Sequence, residues 1–182
     1  MQMKTLIDEN QLQEGIRRFA DEIIRHYSDR PLTIVGVRIA SVLVLADLIR
    51  LLDMPLRVEL LKTRRHQQDT AARPGPLAID TALLSTAVRG RDVLLVDDIF
   101  DTGHTLWELI PQVDELGPTS VRTAVFLRKK GRSEVSLEPD FVAFDIPDEF
   151  VVGYGLHYRD RYRNLPYVAA LEPEERAEES NT

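Results

Sequence analysis

The chain has 182 residues, no cysteine and a formal net charge of -7. That length suits one domain with a sizeable core, and the lack of cysteine excludes a disulfide framework and thiolate chemistry. Residues 172–182 hold five Glu against one Arg, which leaves the body near -3, without the clustered basic face that duplex nucleic acid requires.

Met1 to Asp8 lack the apolar core of a secretory signal, and no stretch approaches the roughly 20 apolar residues that cross a bilayer. A cytoplasmic protein is expected, with 1–171 as a single domain and 172–182 as an acidic, solvated tail. From Asp8 to Tyr27, apolar residues recur at Leu12, Ile16, Phe19, Ala20, Ile23, Ile24 and Tyr27, the spacing of an amphipathic helix laid against the body. Leu32 to Val37 reads as a parallel strand, and Ser41 stands where it can cap a helix over Val42 to Leu52. Leu56 to Leu61 reads as the next strand. The polar, aperiodic stretch from Lys62 to Pro76 has the length of a lid or a connector. Its arginines and lysine would attract a polyphosphate or simply sit in solvent.

A short strand at Leu77 to Ile79 and a turn at Arg89-Gly90-Arg91 lead into Val93-Leu94-Leu95-Val96. Four consecutive apolar residues suit a strand covered on both faces. The acids Asp97, Asp98 and Asp101 then lead into Thr102-Gly103-His104-Thr105 and a helix whose face is Leu106, Leu109, Ile110, Val113 and Leu116. Small hydroxyls, a glycine and amides at a helix start form a phosphate site. The adjacent Asp97 and Asp98 repel a phosphate unless a cation lies between, and hard oxygen donors point to magnesium. Any one of these acids reads equally well as a solvated helix cap; the ordered set points to a site. Pro111 should kink the helix. Val121 to Leu127 is a further strand that carries Arg128, Lys129 and Lys130 at its carboxyl end, and Leu165 to Leu171 a last one.

Val93 to Leu106 resembles the phosphoribosyl pyrophosphate signature of the type I phosphoribosyltransferases. The stretches Pro139 to Leu156 and Tyr162 to Tyr167 are similar to the purine-base segment of the hypoxanthine-guanine branch, and the likeness spans about residues 10 to 171. The resemblance implies an α/β fold with a mainly parallel central sheet flanked by helices, a flexible hood loop and a small base-binding segment. It implies that Asp97 and Asp98 hold Mg2+ and ribose, that Thr102, Gly103, His104 and Thr105 hold the 5'-phosphate, and that Asp101 is the acid-base residue near the purine N7. Lys129 matches the donor to the C6 oxygen of the purine, Phe150 the aromatic that stacks on the base, and Val151 the residue whose backbone meets its edge. Arg163 matches a pyrophosphate-facing arginine.

Three positions depart from the pattern. Where the family carries Leu-Lys-Gly, this chain has Arg38-Ile39-Ala40, so Arg38 is the remaining candidate cation for pyrophosphate. The hood's Ser-Tyr pair is replaced by Thr63-Arg64, and a metal-side Asp by His157, a weaker partner for a hard cation. The implied activity is transfer of a phosphoribosyl group from phosphoribosyl pyrophosphate to hypoxanthine or guanine, by a homo-oligomer that uses no nucleic acid or membrane. The alternative is a non-catalytic protein that binds a purine nucleotide on the same fold.

Overall fold

The computed structural model describes residues 3–61 and 77–172, and the backbone of 63–65. Its first strand, β1 (Lys4–Ile7), is too short for its alternation to be read from sequence. Helix α1 (Glu9–Tyr27) follows, with Asp8 as its N-cap. The Gln11 amide donates to Asp8 Oδ1 at 2.9 Å, and the Asp8 amide donates to Gln11 Oε1 at 2.9 Å. This reciprocal box satisfies two amides that the helix start leaves free. Asp8→Ala is expected to cost about 1 kcal/mol, measured as a shift of the urea midpoint with unchanged slope.

Strand β2 (Leu32–Gly36) is wholly buried and leads through a 3-10 turn at Ile39–Ser41 into α2 (Val42–Ile49). Ser41 does not cap that helix: its hydroxyl donates to the Arg38 carbonyl at 2.6 Å instead. Strand β3 (Leu56–Leu60) is followed by a hairpin of β4 (Thr63–Arg65) and β5 (Leu77–Ile79). The hairpin gives the expected hood a two-stranded base; the basic residues between its strands lie outside the described residues. Helix α3 (Thr81–Val88), absent from the sequence expectation, is capped by Asp80, whose carboxylate accepts from the Ala82 amide.

Strand β6 (Asp92–Phe100) runs four residues past Val96, because its pairing with β7 (Ser120–Lys129) continues to Phe100 opposite Arg128. Asp97 and Asp98 therefore lie within the strand rather than beyond it. Helix α4 (His104–Asp114) contains Pro111, and β8 (Phe141–Ile146), β9 (Val151–Val152) and β10 (Val168–Ala170) complete the chain.

Strands β3-β2-β6-β7-β8 form one parallel sheet, and β1-β10-β9 a small antiparallel one. Alternate residues of the main sheet serve two cores. Ile34, Leu94, Val96 and Phe126 pack with Leu12, Phe19 and Ile23 of α1 and with α2, while Val35, Val93, Leu95 and Val125 pack with Leu84 of α3 and Leu109 of α4. Each large side chain so buried stabilises by about 1.5–3 kcal/mol. The chain steps from β2 outward to β3, then returns to place β6 on the other side of β2. The crevice at the carboxyl ends of β2 and β6 is thus a topological switch point, where open parallel sheets bind ligands.

Candidate active site at the sheet switch point

The carboxyl end of β6 and the turn after β2 meet in a cleft of about 210 Å³. It brings together Arg38, Asp97, Asp101, Thr102, Gly103 and Thr105, with Ile99, Phe100 and Leu106 as its apolar wall. Gly103 caps α4 with φ 85°. A Cβ there would lie 2.5 Å from Val135 Cγ2 and 2.8 Å from Phe100 Cζ, so glycine is required both by the left-handed backbone and by the space. The segment after β7 also fastens this turn. The Glu134 amide donates to the Thr102 carbonyl at 3.0 Å, and a Glu134 carboxylate oxygen lies 3.0 Å from His104 Nε2.

Asp97 is buried, and Arg38 grips it with a fork: Nε donates to Oδ1 at 3.0 Å and Nη2 to Oδ2 at 3.1 Å. Nη2 also donates to the Ile99 carbonyl at 3.3 Å and sits 2.9 Å from Asp98 Oδ1. That last contact is an ion pair without hydrogen-bond geometry, so buried Asp98 Oδ1 has no hydrogen-bond partner. Burial, and then the charge of Asp97, push the Asp98 carboxyl up to about 8 against the opposing pull of Arg38. Ile39, beside Arg38, is 71% exposed; consecutive residues here face opposite ways, and Arg38 is the one turned to the acids.

Asp101 lies 3.4 Å from Lys129 Nζ and accepts from Arg132 Nε at 3.0 Å. Lys129 also lies 3.3 Å from Asp148 Oδ1, two residues before Phe150. The lysine side chain is mostly buried, whereas Lys130 is exposed and pairs with Asp145 at 3.3 Å. Arg132 and Asp148 were not singled out in the sequence; Arg132 is 31 residues from Asp101, and no spacing connects them. Phe150 is half-exposed rather than core, its ring edge-on to Tyr158 at 5.5 Å. Val151 is buried in β9, paired with Ala170.

Asp98, His104, Lys129, Phe150, Val151 and Arg163 stand outside the cleft lining; Lys129 lines a neighbouring recess with Phe100 and Arg128, and the turn Gly153-Tyr154-Gly155 backs the Arg38 turn at Ala40. Arg163 Nη1 donates to the Gly155 carbonyl at 2.9 Å, and a Cβ on Gly155 would lie 2.2 Å from the Ala40 carbonyl oxygen. The Tyr154 hydroxyl donates to the Asp47 carboxylate of α2; burial and then this bond push the phenol's pKa up. His157 faces its own turn, where its Nδ1 accepts from the Asp160 amide at 3.3 Å.

Among the described residues, no group of three His, Cys, Asp or Glu could hold a metal. The two buried carboxylates, one with an oxygen lacking a hydrogen bond, suit a hard cation that brings most of its oxygen ligands with a polyphosphate. No helix among the described residues is long and apolar enough to cross a membrane.

Comparison with known proteins places these features in one class. The phosphoribosyl transferase domain matches residues 3–159. Within that class the chain belongs to the hypoxanthine-guanine phosphoribosyltransferase family. It is 34% identical over 170 residues to the hypoxanthine-guanine phosphoribosyltransferase of Bacillus subtilis, covering 93% of each chain. It is 37% identical over 171 residues to the bifunctional protein TilS/HprT of Listeria innocua, of whose length it spans 26%. Among solved structures, a hypoxanthine-guanine phosphoribosyltransferase from Bacillus anthracis superposes with a TM-score of 0.80 at 32% identity, covering 93% of this chain and 98% of that one. A mutant hypoxanthine phosphoribosyltransferase from Trypanosoma cruzi, in a ternary complex with substrates, gives 0.83 at 31% identity over 94% of this chain and 96% of that one.

Proposed function

We propose that this chain transfers the phosphoribosyl group of phosphoribosyl pyrophosphate to a 6-oxopurine, hypoxanthine or guanine, in purine salvage. The observation that carries this reading is the meeting, at one switch point, of Asp97, Asp101, Thr102, Gly103 and Thr105, with buried Asp98 next to Asp97 and with Lys129 3.4 Å from Asp101. That its relatives are named as transferases supports catalysis over binding alone.

In this reading the amides and hydroxyls of Thr102, Gly103, His104 and Thr105 hold the 5'-phosphate, and Asp97 and Asp98 face the ribose hydroxyls. These two acids would hold Mg2+, which would supply charge neutralisation to the pyrophosphate. Arg163, by its match to the family's arginine, serves the pyrophosphate leaving group, and Arg38 is the cation beside the acids. Lys129 donates to the C6 oxygen, Phe150 stacks on the ring, and the Val151 backbone meets its edge. The bond from ribose C1 to pyrophosphate breaks as a ring nitrogen bonds to C1. The proton that the purine gives up passes to Asp101 from N7. Positioning of the two reactants supplies much of the acceleration.

Lys129→Met should lower kcat/KM for hypoxanthine and guanine by about 10²-fold, since the C6 oxygen would lose a buried donor. A change of less than threefold in competition assays would remove Lys129 from the base site. The function itself is tested by product formation from phosphoribosyl pyrophosphate, Mg2+ and each of hypoxanthine, guanine, xanthine and adenine. Turnover confined to 6-oxopurines supports the reading; nucleotide binding without turnover overturns it.

The same reading takes 1–171 as one catalytic domain of a cytoplasmic homo-oligomer. The exposed apolar side chains Val58, Leu60 and Leu83 support association, and sedimentation velocity tests it, a monomer being the contrary result.

A further inference from the structure

The turn that carries Arg38 is fixed on every side. The Val37 amide donates to the Val96 carbonyl at 2.9 Å, which ties the turn to β6. The Ser41 amide and hydroxyl both donate to the Arg38 carbonyl, at 3.0 and 2.6 Å. Ala40 is backed by Gly155, where no side chain fits. From this anchored backbone the guanidinium reaches the end of β6 and directs Nε and Nη2 at Asp97, with Nη2 shared by the Ile99 carbonyl.

Both Asp97 oxygens are thereby engaged, and Oδ1 also accepts from the Asp98 amide at 3.0 Å. Asp98 is different. Its Oδ1 has the arginine nearby for charge but no hydrogen bond. Two carboxylates this close would repel, and buried charges without partners are costly. A forked guanidinium is the side chain best shaped to cancel one of them.

We propose that Arg38 is a positioning residue that serves as a resident counter-cation. It orients Asp97, the acid of the pair that lines the cleft, and lies 2.9 Å from Asp98 Oδ1, so that its charge offsets the acid pair in the free protein until the metal-bound phosphoribosyl pyrophosphate arrives. This rests on reading the cleft as the phosphoribosyl pyrophosphate site, and gives Arg38 a role other than a direct grip on pyrophosphate. Arg38 thus does two separable things. Its charge sets how strongly the free acid pair attracts a divalent ion, and its fork sets where Asp97 points.

The test uses Mn2+ as the probe, titrated by electron paramagnetic resonance into the free protein with no substrate, for wild type, R38M, R38K and D98N. Removing a cation a few ångström from the site should tighten Mn2+ binding by R38M about tenfold. R38K keeps the charge, so its Mn2+ affinity should stay within about threefold of wild type. Lacking the fork, R38K should lose about tenfold or more in kcat while KM for phosphoribosyl pyrophosphate moves less than about threefold. D98N should abolish Mn2+ binding. Unchanged or weaker Mn2+ binding by folded R38M, or wild-type kcat in R38K, would overturn the proposal; should R38M fail to fold, the R38K and D98N results decide it. A wild-type protein that turns over no purine would refute the transferase reading and leave the Mn2+ result standing by itself.

Discussion

Asp101→Asn should lower kcat by about 10²–10⁴-fold, the usual contribution of a positioned general base, while purine nucleotide binding stays within a few-fold of wild type. Asn keeps the size and one oxygen of the side chain but cannot take the purine proton. It also cannot keep the charge that draws Lys129 from 3.4 Å and Arg132 from 3.0 Å. The Asp101 side chain is partly exposed, so its ion pairs contribute little to stability, and the melting temperature should move by no more than a degree or two. The loss would therefore fall on turnover. Steady-state kinetics beside nucleotide titration checks this, and turnover within tenfold of wild type would remove Asp101 from the chemistry.

Gly155→Ala should destabilise the fold by about 3 kcal/mol or more, a large effect for a single methyl group. Gly155 has φ 96°, and the added Cβ would meet the Ala40 carbonyl oxygen at 2.2 Å and its carbon at 3.2 Å. Both neighbours are backbone, so neither can swing aside. Gly90 is the control: φ is 65°, but nothing lies within 4 Å of its Cβ position. Gly90→Ala should cost only the left-handed strain, about 1 kcal/mol. Because 1 kcal/mol moves the melting temperature of a domain this size by about 2–4 °C, calorimetry separates the two. Whatever stable Gly155→Ala protein forms should also show a raised KM for phosphoribosyl pyrophosphate, since the Ala40 turn carries Arg38 and the Gly155 carbonyl accepts from Arg163. Equal destabilisation by the two substitutions would show that the contact between Gly155 and Ala40 carries no weight.

Much of the site is local in sequence and was legible there. Asp97 to Thr105 lies on one strand end and one helix start, so their order alone implies a shared ligand. α1 was equally plain, because nineteen residues give a 3.6-residue period room to repeat. Shorter elements were hidden. β1, α3 and the far end of β6 depend on partners: β1 pairs with β10 across most of the chain, and β6 extends only because β7 continues beside it.

The residues of Asp97 to Thr105, the two apolar faces of the sheet and the likeness to a transferase family were determined by the sequence itself, since each rests on neighbours within a few residues or on an ordered motif. Only the tertiary structure decided where the substituted turn sends its charge. Arg38 and Ile39 are adjacent, and nothing local says which faces the acids. That choice follows from the extended backbone of Arg38, the hold of Val96 and Ser41 on the turn, and the close approach of Gly155, contacts that span as much as 115 residues of chain. The same holds for Arg132 and Asp148, which reach Asp101 and Lys129 because parallel strands align their carboxyl ends, whatever their separation in sequence.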